Sequence, residues 1–235
     1  MRAALERLDR LDTNLNDPYY LHYRSLFADL KWAAETYASG NLLDIGCGNK
    51  PYVAFFERRV RDYLGCDIAQ SDRGVVDLIC AATHIPLADQ TRDTVFSTQV
   101  IEHVADHRRL ISEAYRVLKP GGHLILSAPM CWEHHEEPYD FFRFTRFGLR
   151  FLLEEAGFTI VAERANGGKW AMVGQVLLNS CRSSFEMRGR RRRLWIGGLY
   201  KLLGVKWVTN AVFGTLDSLD PDPVATLNFV VVAQR

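Results

Sequence analysis

NLLDIGCGNKPY, residues 41–52, is the stretch that decides how this chain folds. Asn41 to Ile45 is a short apolar run suited to a strand, Gly46 and Gly48 follow at once, and a helical pattern over Val53–Val60 comes next. Two glycines between a strand and a helix let the backbone approach a ligand that a Cβ would hold off. Working outward, YLGCD (63–67) reads as a second strand, which completes a β-α-β unit. Asp67 closes that strand, 23 residues after Asp44, where nucleotide-binding sheets place an acid that accepts from both ribose hydroxyls. Position 51 is proline, so the pyrophosphate pattern Gly-x-Gly-x-x-Gly is not met, and no Walker lysine pattern occurs. The expected ligand is a nucleoside without a pyrophosphate.

The rest of the chain extends this unit. Apolar runs at Val75–Ile79, Thr94–Thr98, His123–Ala128, Phe158–Ala162 and Leu227–Ala233 predict further strands. Helical patterns over Asp106–Leu118 and Thr145–Ala156 lie between them, the first stopping at Lys119-Pro120-Gly121-Gly122. Strands alternating with helices imply an α/β fold with a parallel sheet. Residues 18–38 carry Tyr20, Tyr23, Phe27, Leu30 and Ala34 at helical spacing, an amphipathic helix ahead of the first strand.

With 235 residues, 48% of them apolar, and no Pro/Gly/Ser-rich linker, the chain reads as one soluble domain spanning 1–235. Within it, 1–40 is an N-terminal helical segment, 41–164 a ligand-binding core, 165–225 an insertion and 226–235 the last strand. Five scattered cysteines without a Cys-x-x-Cys pair argue against disulfides and a thiolate zinc site, and Met1–Asp12 lacks a signal-peptide apolar core. A cytoplasmic setting is expected. The 29 basic and 28 acidic side chains are unevenly spread: 19 and 24 lie in 1–164 and 10 and 4 in 165–235. The positive excess sits in the C-terminal third.

These motifs resemble the class I S-adenosylmethionine-dependent methyltransferases, specifically the methyltransferase type 11 family, from about Asn41 to Phe158 with an echo at the C-terminus. LLDIGCGNKPY (42–52) is similar to the family's glycine-rich first motif and YLGCD (63–67) to its ribose acid. HIPLADQTRDTVFSTQVIEHV (84–104) and RVLKPGGHLILSAP (116–129) are similar to the adenine-side, fourth-strand and fifth-strand motifs. The resemblance implies a Rossmann-like seven-stranded sheet, mostly parallel with its last strand antiparallel, helices on both faces and the insertion between strands six and seven. It implies S-adenosyl-L-methionine as cofactor, with Asp44 in the first motif and Gly46, Cys47 and Gly48 against the methionine part. Asp67 would hold the ribose, Ile68 and Ala82 would line the adenine side, and Gln99 would end the fourth strand near the sulfonium. Many relatives carry Asp-Ala where this chain has Ala81-Ala82, so backbone groups or Thr83 are expected to serve the adenine amine instead.

Methyl transfer from a sulfonium needs alignment and often a base for the acceptor's proton, a role suited to histidine near neutral pH. His103 after the fourth strand and His135 after the fifth are the candidate catalytic residues, with His134 beside the latter. His103 reads equally well as a packed helix-start residue beside Glu102. Trp132, Tyr139, Phe141 and Phe142 would form an aromatic wall, and Asp140 and Arg143 would orient an acceptor. If a helix reached back to Gln99, then Gln99, Glu102 and His103 would share one face and permit a metal. Ubiquinone-pathway O-methyltransferases and small-RNA 2′-O-methyltransferases look similar here but carry Glu in place of Gln99, so no metal ligands are assigned. The expected reaction is O-methylation of a small-molecule or glycan hydroxyl. The alternatives are an RNA 2′-O-methyltransferase, disfavoured by the acidic core, and a non-catalytic cofactor-binding scaffold. The insertion reads first as a lid or homodimer face. Its basic, Trp-bearing stretch 188–213 also suits peripheral contact with an anionic membrane.

Overall fold

The computed structural model describes residues 7–186, 200 and 204–235, and every statement about structure concerns these. Seven strands form one sheet: β1 (Gly40–Ile45), β2 (Val60–Asp67), β3 (Leu78–Ile79), β4 (Arg92–Thr98), β5 (Leu118–Pro129), β6 (Thr159–Asn166) and β7 (Asn228–Gln234). Their order is β3-β2-β1-β4-β5-β7-β6; the first five run parallel, and β7 pairs antiparallel with both β5 and β6. Successive residues of the central strands are buried on opposite faces. Leu43, Ile45, Val95, Leu124, Leu126 and Val231 pack under α3 (His107–Val117) and α4 (Arg146–Glu155). Leu42, Phe96, Ile125, Val230 and Val232 pack against α1 (Tyr20–Tyr37), through its Leu26, Phe27, Leu30, Ala33 and Ala34. Burial on both faces is what continuous apolar strands such as Phe229–Ala233 encode.

Three local expectations change. The helix after the glycine loop is one turn, α2 (Val53–Phe56), because Arg59 N–H closes back on the Phe56 carbonyl and β2 starts at Val60. The run Val75–Ile79 pairs only at Leu78–Ile79, and Asp77, exposed, accepts from Gly65 N–H (2.6 Å) and Lys50 (2.5 Å) instead of continuing the ladder. The fifth strand begins earlier than His123, since Leu118–Gly122 already belong to it and Gly121 and Gly122 exchange backbone hydrogen bonds with Arg235.

Between β6 and β7 the chain forms α5 (Lys169–Glu186) and α6 (Val205–Leu219), which pack together and onto α1. A Cβ on Gly174 would meet Phe213 Cβ at 2.6 Å and Leu21 at 2.7 Å, so this glycine sets how closely the three helices approach. Asp217 of α6 accepts from Gly168 and Ala171 N–H at the start of α5. Asn210 and Gln175 donate to the carbonyls of Leu15, Asp17 and Pro18, fastening the insertion to the lead-in of α1. The arginine run Arg190–Arg193, and most of 188–213 before Gly204, lie outside the described residues. No described helix is long and apolar enough to cross a membrane.

Candidate active site

A cavity of about 660 Å³ opens at the carboxyl edge of β1, β2, β4 and β5, where open α/β sheets bind ligands. At one end lies the glycine loop. Gly46 and Cys47 N–H both bond the Cys66 carbonyl (2.8 and 3.0 Å), which folds the loop onto the end of β2. Gly46 adopts φ +77°, and a Cβ there would run into Val100, so only glycine suits the position. Gly48, at φ +50°, donates its N–H to Asp67 (3.0 Å). Asp67, Ile68, Cys80 and Ala82 line the wall beyond, whereas Thr83 does not reach the cavity.

Asp44 is fully buried and bonded by the Tyr63 hydroxyl at 2.6 Å; burial raises its carboxyl to about 7 against the opposing pull of that bond and of Lys50. Burial pushes the Cys47 thiol up to about 12, which disfavours its thiolate. Arg7 was not anticipated. Its guanidinium sits 3.3 Å from Asp67 and donates to the carbonyls of Ala69 and Gln70, while Asp9 is held by Asn49 and Arg73. The segment ahead of α1 therefore crosses the mouth beside Asp67. A glycine cradle without Cβ atoms and the Asp67 carboxylate beside it suit a ligand with a vicinal diol, as S-adenosylmethionine has.

The other end of the cavity is built from side chains. Gln99 follows β4 at φ +54°, its N–H on the Ser127 carbonyl and its amide donating to Ser127 Oγ (3.1 Å). The single 3₁₀ turn Ile101–His103 starts after it, so Gln99 does not share a helical face with Glu102 and His103. His135 takes that place: its ring lies 4.6 Å from that of His103. Glu102 is fully buried, and burial raises its carboxyl to about 8. His135 is pushed below the usual histidine range by burial and by His103. Asp140 and Arg143 turn out to serve each other. Arg143 clamps both oxygens of Asp140 (2.6 and 2.8 Å) and reaches the carbonyls of Trp132 and Glu133, while Asp140 accepts from His135 N–H. The pair fixes the loop that carries His135. His134 points outward, 84% exposed.

The aromatic wall also differs. Trp132 faces the cavity, but Phe142 packs on His107 and Phe144, and Phe141 is exposed. The partners of Trp132 come from the start of α1: His22 at 4.3 Å and Tyr19 at 5.7 Å between ring centroids, with Tyr23 against His22. Helical spacing in 18–38 placed only Tyr23 of these on the apolar face; their shared use at the cavity needed the tertiary packing. His22 is buried, and desolvation lowers its imidazole to about 3. Arg182 of α5 pairs with Glu133 and lines the same end, so the insertion reaches the site.

The family model described as a methyltransferase domain matches residues 43–126. An uncharacterized methyltransferase of Mycobacterium sp. (strain KMS) is 36% identical over 113 residues, covering 44% of this chain and 45% of the relative. The demethylmenaquinone methyltransferase of Thermobifida fusca is 30% identical over 107 residues, 40% of this chain and 45% of its own length. The similarity thus spans less than half of each relative. Among solved structures, a SAM-dependent methyltransferase from Archaeoglobus fulgidus superposes with a TM-score of 0.57 at 16% identity, covering 89% of this chain and 93% of its own. The [4+2]-cyclase SpnF gives 0.59 at 19% identity, covering 95% and 85%. These last two show the fold alone, and a cyclase among them illustrates that a fold does not fix its reaction. Residues 43–126 thus match a methyltransferase domain, and the glycine loop, Asp67 and the strand order agree with that match.

Proposed function

We propose that the chain methylates a hydroxyl of a small-molecule or glycan acceptor. The observation that carries this reading is that one cavity joins the glycine loop and Asp67 to His103 and His135. Asp44, Gly46, Cys47, Gly48 and Gln99 would hold the methionine end of the cofactor, Asp67 the ribose, and Ile68 and Ala82 the adenine side. The cofactor, when bound, supplies a methyl group on a positively charged sulfur. The protein's part is to align the acceptor oxygen and accept its proton. His103 Nδ1 is engaged by the Tyr139 carbonyl (2.9 Å) and His135 Nδ1 by that of Glu133 (3.2 Å), which leaves Nε2 of each ring as the basic nitrogen. Trp132 with Tyr19 and Tyr23 would hold the body of the acceptor, and an apolar aromatic lining favours a small molecule over a nucleic-acid backbone. Incubation with methyl-labelled S-adenosylmethionine and a panel of hydroxylated acceptors tests this. Label in an ether product is expected; cofactor binding without transfer to any acceptor would favour the scaffold.

We also propose that 188–213 contacts an anionic membrane surface. This reading is supported by the run Arg190–Arg193 in the sequence and by Trp207, Val208 and Val212 exposed on α6. Sedimentation with phosphatidylserine vesicles, fading as salt rises, is the expected result. A stable homodimer without vesicle binding would assign the face to a second copy.

A further inference from the structure

α1 brings a third imidazole to the acceptor end. His22 sits on its first turn, is 5% exposed and lines the cavity beside Tyr19, Tyr23 and Trp132. Trp132 packs on it at 4.3 Å between ring centroids, and Tyr23 stands nearly perpendicular to it at 4.8 Å. Two aromatic neighbours therefore fix the plane of the ring. Desolvation holds the imidazole neutral, far below the usual histidine range, which disfavours it as the base that takes the acceptor's proton.

Packing alone would be served by another aromatic ring, so the nitrogens of His22 need their own account. Nδ1 stands 3.2 Å from Asn228 Nδ2. Asn228 is the first residue of β7, fully buried and paired with Pro129 of β5 and Asn166 of β6, so the sheet anchors this contact. An amide nitrogen only donates, which makes Nδ1 the acceptor and puts the ring proton on Nε2. Turning the amide over gives Asn228 Oδ1, otherwise buried without a partner, the Nδ1–H, and leaves Nε2 with a lone pair. In both arrangements Nδ1 is spent on β7. Nε2 has no partner among the described residues and is not sealed off by them, so it is the nitrogen left for a ligand in the cavity. A ring nitrogen unmatched between aromatic walls is costly until a ligand meets it.

We propose that His22 Nε2 binds a second hydroxyl of the acceptor, one that is not methylated, and so selects ring-bearing acceptors with two hydroxyls. A hydroxyl both donates and accepts, so it meets Nε2 in either arrangement, whereas a methyl group in its place leaves the nitrogen bare. A neutral imidazole offers no charge to pair with a carboxylate or an ammonium group. The walls supplied by Trp132, Tyr19 and Tyr23 suit a flat aryl ring between the two hydroxyls. His22 is thus a binding and specificity residue rather than a proton acceptor. This inference rests on reading that end as the acceptor chamber and deepens it by naming the acceptor class, an aryl diol.

The test uses the full chain saturated with S-adenosylhomocysteine and two series of probes, the dihydroxybenzenes and the methylphenols, which differ by one hydroxyl exchanged for a methyl group. At least one dihydroxybenzene is expected to bind roughly tenfold or more tighter than its methylphenol in calorimetry. His22→Phe, which keeps a ring and removes both nitrogens, should abolish that preference; His22→Gln, which keeps a donor and an acceptor, should retain part of it. Cofactor affinity should be unchanged in both. In the unsubstituted chain, the histidine ¹⁵N resonance that is absent from His22→Gln should shift with that dihydroxybenzene and stay in place with its methylphenol, a response that a packing role does not give. Equal binding by the two series, a preference that survives in His22→Phe, a His22 resonance indifferent to the dihydroxybenzene, or no binding of any probe would overturn the proposal. Transfer of labelled methyl to some acceptor with no part for His22 would overturn this inference and leave methylation standing. A His22-dependent preference without transfer to any acceptor would do the reverse.

Discussion

The two ends of the cavity share one sheet edge and are built by different means. The cofactor end is made largely of backbone from two short, contiguous stretches, 44–48 and 65–67, locked by the pairing of Ile45 with Cys66 in parallel register. The acceptor end is made of side chains from four separate segments: the start of α1, the turn after β4, the loop after β5 and the end of α5. Backbone geometry is specified locally by which residues can take a given φ, whereas side-chain constellations exist only after distant elements have packed. Substitutions should therefore separate the two ends, one class acting on cofactor affinity and the other on turnover and acceptor affinity.

The largest effect belongs to the acceptor end. His103→Ala should lower kcat by roughly 10²-fold to 10⁴-fold with cofactor affinity unchanged; a parallel loss of cofactor binding would erase the distinction between the ends. Next comes Asp67→Ala, which removes charge-assisted hydrogen bonds and should weaken S-adenosylmethionine by about 1.5–3 kcal/mol in calorimetry. Its folded stability should change less, because Arg7 still has the Ala69 and Gln70 carbonyls.

A third test uses protons. His22, lowered to about 3, stays neutral in the folded chain while the unfolded chain takes up a proton below about 6.5, so its burial loses stability as pH falls from about 6.5 towards 3. Asp44, raised to about 7, holds a proton that the unfolded chain has released above about 3.8, so its stability is lost as pH rises towards 7. Between about pH 4 and 6.5 the two slopes oppose each other, and Glu102, raised to about 8, adds to that of Asp44. Asp44→Asn should therefore shift the pH slope of the unfolding free energy upward by about 1.4 kcal/mol per pH unit relative to the unsubstituted chain, in denaturant titrations across that window. An unchanged slope in the variant would remove Asp44 from the account. The smallest effect is that of Trp132→Ala, which should raise the acceptor KM by the worth of an aromatic contact, about 0.5–1.5 kcal/mol, and leave cofactor affinity alone.

The same contrast explains what could be read in advance. The strand-loop-strand signature of 41–67 located the glycine loop, Asp67 and the sheet, because each follows from local spacing. His103 and His135 were recognisable by their place after β4 and β5. Their companions were not: Glu102 looked like a neighbour in sequence, and only the ring of His135 brought to it from the next loop gives it a context. Extending a helix back to Gln99 failed because β4 runs to Thr98 and Gln99 turns through a left-handed backbone to bond Ser127. Tyr23 carries the same helical periodicity as core residues, which hides its second role. Arg7 sits outside any motif, and no local signal ties it to Asp67.

The placement of β7 between β5 and β6 has a consequence for how this architecture can diversify. Residues 167–227 intervene between β6 and β7, so 61 residues leave the sheet and return to it as one closed loop. The entropy of closing a flexible loop grows only logarithmically, about 0.6 kcal/mol for each doubling of length. Chain can therefore be added or removed here at little thermodynamic cost, provided the β7 edge pairings survive. Because α5 reaches the cavity through Arg182 beside Glu133, variation in this loop would reshape that end while the glycine loop is built from other segments.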